Sequence, residues 1–175
     1  MTIWFTSDTH YGHVNIIKYS NRPFKSIDEM DSELIRRWNE VVKAGDQVFH
    51  LGDVMMGPNV ATRLQVLRPA LNGYIILVQG NHDRGPGIYR KAGFDHVCSR
   101  WDGALPDDNG VRILMRHHPP ERPEPRHAEY DLILCGHVHE KWLNRGKVVN
   151  VGVDQWNYTP VSLETLVQRF ASRRR

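Results

Sequence analysis

The 175 residues suit one domain, and 40% hydrophobic with 25% charged residues is an ordinary globular balance that excludes disordered, collagenous and coiled-coil chains. The formal net charge of +3 is small and is matched by Arg173, Arg174 and Arg175 alone, so charge demands no nucleic-acid partner. No apolar run nears the roughly 20 residues of a membrane span. The N-terminus enters a strand-like segment with no signal peptide, and Cys98 and Cys135 read as free thiols, which together fit a reducing cytoplasm.

In chain order, Ile3-Trp4-Phe5-Thr6 reads as a short buried strand followed by Asp8-Thr9-His10. Ser26-Ile27-Asp28-Glu29 has the form of a capping box, in which Glu29 reaches back to the cap. Ile27, Met30, Leu34, Ile35, Trp38, Val41 and Val42 then recur at helical spacing until Ala44-Gly45. A second strand, Val48 to Leu51, ends in Gly52-Asp53. Val60, Leu64, Val66, Leu67 and Leu71 suggest a second helix closed by Asn72-Gly73. Tyr74 to Val78 is the clearest buried strand and ends in Gly80-Asn81-His82-Asp83. A short helix is expected over Ile88 to Ala92.

Further strands are expected over Val97 to Trp101 and Val111 to Met115, linked by the turn residues Pro106 to Gly110. Pro119 to His127 reads as an exposed loop. Leu132 to Cys135 is a strand ending in Gly136-His137, and Val148 to Val153 is another. Ser162 caps a last helix using Leu163, Leu166, Val167 and Phe170. There is no internal repeat and no linker. The fold class is α/β: one sandwich of sheets with helices outside.

Five apolar strands run into short polar clusters: Asp8-Thr9-His10, Gly52-Asp53, Gly80-Asn81-His82-Asp83, His117-His118 and Gly136-His137-Val138-His139. Sites in open α/β sheets form beyond the carboxyl ends of strands, so five segments could converge. Asp and Asn oxygens and His nitrogens suit Mn, Fe, Zn or Ni. In an extended segment Asp8 and His10 leave the same face, as do His137 and His139. The glycines at 52, 80 and 136 would let the backbone turn sharply.

This ordered set resembles the calcineurin-like metallophosphoesterases, in their small bacterial and phage-type branch without a cap domain. The likeness extends through Arg22-Pro23-Phe24, His50-Leu51-Gly52-Asp53 and Asn150 to Asp154. It implies a metallophosphoesterase-type β-sandwich flanked by helices, spanning residues 1–170, with 171–175 as a basic tail. It also implies two divalent metal ions, with Mn first and Fe, Zn or Ni as alternatives. Asp8, His10 and His139 would hold one metal, Asn81, His117 and His137 the other, and Asp53 would bridge them. His117 aligns as the lone histidine because that ligand is followed by one residue and then proline, here Pro119; His118 is the alternative.

The implied reaction is attack of a metal-bridging hydroxide on a phosphodiester or phosphomonoester. His82 would assist the leaving group, and Asp83 would orient His82. Asn15, Arg22 and Arg84 are candidate substrate-binding residues, His13 could line the cleft, and His50 reads as a supporting core residue. Gly52-Asp53 is followed by Val54-Met55-Met56-Gly57 without the Asp-Arg usual in protein phosphatases of this superfamily. The third motif ends in Asp83 rather than Glu. Both departures argue against a protein phosphatase, and the expected substrate is a small phosphoester, with a nucleotide-derived phosphodiester as one option. The competing classes are a nuclease or nucleic-acid-processing enzyme and a non-catalytic scaffold on the same fold.

Overall fold

The computed structural model describes residues 1–105 and 110–171. The expected turn at 106–109 and the end of the basic tail lie outside the described residues.

Two five-stranded sheets face each other. The first uses β1 (Ile3–Thr6), β2 (Gln47–His50), β3 (Tyr74–Val78), β4 (His96–Cys98) and β10 (Val161–Ser162), in the order β10-β1-β2-β3-β4. The second uses β5 (Trp101–Ala104), β6 (Arg112–Met115), β7 (Leu132–Cys135), β8 (Asn144–Arg145) and β9 (Val148–Asn150), in the order β5-β6-β7-β9-β8. Strands β1 to β4 are parallel, as are β6, β7 and β9. Their carboxyl ends therefore emerge together within each sheet.

Alternation along the strands builds the layers. Phe5, Phe49, Ile76 and Val78 pack with Ile113, Met115, Leu132 and Leu134 between the sheets. Val48, Ile75 and Leu77 face the other way, against α2 (Ile27–Val41), α3 (Val60–Ala70) and α4 (Pro86–Ala92). Met30, Leu34 and Trp38 are the buried stripe of α2, as its apolar period predicts. Trp38 is fully buried and donates its indole N–H to the Asn72 carbonyl at 2.9 Å. The short helix α1 (Ile16–Tyr19) follows the first cluster, and α5 (Leu163–Phe170) closes the chain under the Ser162 cap.

Four local expectations need correction. The Ser26 hydroxyl accepts from Glu29 N, but the Glu29 carboxylate accepts from Lys25 N, one residue before the cap. Val66 is 74% exposed, because Val60, Leu64 and Leu67 already fill the buried face of α3. The single strand expected over Val97 to Trp101 is two strands in different sheets: Val97 packs under the helices, while Trp101 packs against Phe49 between the sheets. The segment Pro119 to His127 is not wholly an exposed loop, since Pro125–Glu129 forms a 3₁₀ turn that buries His127. The two-residue strands β8 and β10 carry too little pattern to be read from sequence. Cys98 and Cys135 are free thiols, as expected.

Candidate metal centre

The expected clusters meet at the carboxyl ends of β1, β2, β3, β6 and β7. Their backbone is not extended. Asp8, His10, Asp53, His137 and His139 have φ of 57°, 52°, 57°, 70° and 46°. Left-handed conformations are uncommon for such residues and cost energy that the surrounding packing must supply. Asp8 and His10 thus meet through a kinked turn rather than by strand alternation, and so do His137 and His139. Gly52 has φ +97° and needs its lack of a side chain for the turn. Gly80 and Gly136 serve differently. A Cβ on Gly80 would overlap the Asp53 carboxylate, and one on Gly136 would overlap Ser7 Oγ and Asp8 Oδ2.

Asp53 Oδ2 lies 3.7 Å from His10 Nε2 and 3.3 Å from His117 Nε2. Its other oxygen accepts from His82 N at 2.9 Å, which leaves Oδ2 facing two groups of donors. On one side Asp8 Oδ1 is 3.9 Å from both His10 Nε2 and His139 Nε2. On the other, Asn81 Oδ1 is 3.0 Å from His117 Nε2 and 3.1 Å from His137 Nδ1. Asp8, His10 and His139 offer ligand atoms within 4.8 Å of one another, as do Asp8, Asp53 and His117.

The residues fit a divalent metal on a direct test. His10 is 1% exposed, and neither of its ring nitrogens has a hydrogen-bond partner among the described residues. A buried imidazole without partners is costly unless something else engages it. Burial, against the pull of Asp53, lowers its pKa to about 2, so the ring stays neutral and keeps a lone pair for a cation. The neighbouring rings are aimed from behind. The Leu51 carbonyl stands 2.7 Å from His117 Nδ1, and Asp154 Oδ2 stands 2.9 Å from His139 Nδ1. Each contact takes an Nδ1 proton and turns Nε2 inward.

Charge is distributed unevenly. Burial raises Asp8 above its ordinary range. Burial also opposes charge on His117, but the Asp53 and Asp8 carboxylates outweigh it and lift the ring to about 9. The reciprocal contact holds Asp53 below the usual carboxylate range despite its burial. Burial, with help from His118 and His117, brings His137 down to about 4.

His118 is also near the site: its ring centroid is 4.2 Å from that of His137. Strand alternation does not separate it from His117, because β6 ends at Met115. His117 is the buried member, facing Asp53 and Asn81, whereas His118 is exposed.

His82 is exposed at the rim, with its ring centroid 5.7 Å from that of His10. Asp83 does not orient that ring. Its carboxylate accepts from the backbone N–H groups of Asp53, Val54 and Gly80 and from the Tyr89 hydroxyl, at 2.7 to 3.0 Å. Those four bonds fill its acceptor capacity and pin the second and third clusters together.

Arg22 is likewise turned away from a substrate. Its guanidinium is buried and spends all five N–H donors on Asp154, the Thr9 and Asp8 carbonyls and Met30 Sδ. It braces the first cluster from beneath. Asn15 and Arg84 are exposed, and among the described residues no side-chain hydrogen bond or ion pair joins either to the metal centre. His13 does approach, with its ring 5.4 Å from that of His10. His50 is buried, accepts from Gly52 N and contacts Thr9 Oγ1, bracing two clusters at once. Sequence reasoning missed the roles of Asp154 and Tyr89. Only the spacing of Asp154 in the Asn150 to Asp154 segment offered a signal.

Comparison with known proteins agrees with this geometry. A family model described as the calcineurin-like phosphoesterase superfamily domain matches residues 1–162. An uncharacterized protein of Methanocaldococcus jannaschii is 35% identical, over 95% of this chain and 89% of that protein. The Gene 66 proteins of two Mycobacterium phages are 30% and 28% identical, over 89% and 87% of this chain and 89% and 86% of their own. A crystal structure of a protein of unknown function from Aquifex aeolicus superposes with a TM-score of 0.76 at 27% identity, covering 95% of this chain and 98% of that one. The chain belongs to the calcineurin-like phosphoesterase superfamily and is a hydrolase acting on phosphoester bonds.

Proposed function

We propose that the protein is a di-metal hydrolase of small phosphoesters, phosphodiesters foremost. In this reading Asp8, His10 and His139 would hold one cation, Asn81, His117 and His137 would hold the other, and Asp53 would serve both. The observation that carries the reading is Asp53 Oδ2, which stands between His10 Nε2 at 3.7 Å and His117 Nε2 at 3.3 Å. Mn²⁺ is the first choice of cation for this mixture of carboxylate, amide and imidazole donors. When bound, two such ions would supply an activated water and offset charge on the phosphoryl group.

The chain's own groups do the rest. The Leu51 carbonyl and the Asp154 carboxylate hold the His117 and His139 rings by Nδ1, which leaves each Nε2 free to serve as a ligand atom. His82, at the open rim, donates a proton to the departing oxygen. Its backbone N–H to Asp53 keeps it in register with the bridge. Arg22 and Asp83 are positioning residues that keep the clusters in their strained turns. A non-catalytic scaffold has no use for this complete set of donors; the nuclease reading rests on the Arg173–Arg175 tail, which lies outside the described residues.

The test uses a p-nitrophenyl phosphodiester with Mn²⁺. Wild type should turn it over and lose the rate on chelation. Asp53→Asn should lose both metal and activity. His82→Ala should keep its metal and lose about 10²–10⁴ in rate. Full activity in His82→Ala would remove its role, and metal-independent turnover would remove the whole reading.

A further inference from the structure

The two groups of donors in the metal centre are not chemically alike. Beside its histidines the first has the Asp8 carboxylate, whereas the second has the neutral Asn81 amide. The Asp53 carboxylate stands between them. The second group also has a neighbour without an assigned role. His118 is exposed and makes no hydrogen bond or ion pair among the described residues. Its ring centroid is 4.2 Å from that of His137 and 5.0 Å from that of His117.

The three rings meet through their nitrogens. His117, His118 and His137 each offer one, and the three lie within 4.8 Å of one another. His118 and His137 are both exposed, so their rings can turn to close this spacing around one ion without disturbing the core.

The backbone fixes the meeting. The Arg116 N–H donates to the Leu134 carbonyl at 3.1 Å, and the Gly136 N–H donates to the His117 carbonyl at 2.9 Å. The segment after β6 is thereby held against the segment after β7. Pro119 follows His118 and disfavours the helical region for its backbone, which leaves less freedom to lose when the side chain is fixed.

We propose that His118 is a further ligand of the second cation, and that this imidazole-rich half of the centre favours Zn²⁺ over Mn²⁺ more than the half built on Asp8. Imidazole suits zinc, and carboxylate suits manganese. The assignment rests on the di-metal reading and adds to it a ligand and a difference between the two ions.

The full chain, stripped of metal and labelled with ¹⁵N in its histidines, is titrated with Zn²⁺ and followed by ring-nitrogen NMR and calorimetry. A His118 ring nitrogen, assigned by its absence from His118→Ala, should shift with the first equivalent. His118→Ala should weaken the tighter Zn²⁺ step about tenfold or more, at least the effect of removing a supporting partner. It should weaken Mn²⁺ less and leave metal-free melting unchanged. His118→Phe keeps a ring against His137 but has no lone pair, so it should bind Zn²⁺ as poorly as His118→Ala. An unmoved His118 ring, unchanged Zn²⁺ affinity in His118→Ala, or affinity restored in His118→Phe would overturn the proposal. Uptake of fewer than two ions by wild type would overturn the di-metal reading and this one together. Two ions beside an unmoved His118 would overturn this one alone.

Discussion

Asp154 Oδ2 accepts from His139 Nδ1 at 2.9 Å, and the same carboxylate takes the Arg22 guanidinium at 2.8 and 3.0 Å. One buried acid therefore aims a histidine at the metal centre and anchors the brace under the first cluster. Burial opposes its charge, yet His139 and Arg22 hold it below the usual carboxylate range. Asp154→Asn should weaken Mn²⁺ binding about 10–100-fold, the usual effect of removing such a partner. Calorimetric titration checks this, and an unchanged affinity would release Asp154 from the role.

The metal-free protein should have a stability maximum near neutral pH. His117 is raised to about 9, so its contribution is full below the unfolded value near 6.5 and is lost as pH rises through 9. His10 and His50 are lowered, by burial, to about 2 and 3. They must stay neutral in the fold, so stability falls as pH drops below about 6.5. Melting the chelated protein from pH 5 to 10 tests both limbs. Mn²⁺ binding should strengthen over the upper limb, because the ion replaces the His117 proton. A flat profile from pH 6.5 to 10 would contradict the His117 assignment.

Arg22 separates bracing from substrate binding. Arg22→Lys keeps a charge but loses the fork that serves Asp154 and two carbonyls. Disrupting a buried, fully paired cation costs about 3–5 kcal/mol, or roughly 10 °C in Tm for a chain this size. Loss of stability and of metal together is expected. A raised KM with unchanged melting would restore the phosphate-binding role suggested by the sequence.

Gly136→Ala should expel the metal while leaving the sheets folded. The added methyl overlaps Asp8 Oδ2 and Ser7 Oγ, buried against the first cluster and apart from the residues that pack the inter-sheet core. Elemental analysis and circular dichroism measure the two halves of this prediction. Full metal content in the variant would show that Asp8 can move aside.

Mn²⁺ should also stabilise the fold. At 100 times its dissociation constant, a ligand specific to the native state adds about 2.7 kcal/mol, or roughly 5–10 °C here. Chelator titration followed by thermal melting reads this shift. No shift at saturating Mn²⁺ would argue against a site formed only in the folded chain.

The strand-end clusters were legible because each follows an apolar run whose burial is written in residue type. Tyr74 to Val78 and Leu132 to Cys135 fall where their composition puts them. The support beneath the site was not legible. Asp83 faces Tyr89 and three backbone N–H groups rather than His82, and no local pattern encodes which partner a turn will present. Arg22 reads as a candidate substrate-binding residue until Asp154, 132 positions later, is folded against it. Val97 to Trp101 looked continuous because residue type reports burial, not which of two sheets does the burying.

The parting of the chain between Cys98 and Trp101 has a consequence for when metal can be captured. Asp8, His10, Asp53 and Asn81 follow strands of the first sheet, whereas His117, His137 and His139 follow strands of the second. In the proposed assignment each cation takes at least one histidine from the far side of that seam. Neither half of the chain can complete a coordination sphere alone. On that assignment, high-affinity metal capture requires both sheets to be docked, so metal affinity reports on the completed fold rather than on either half.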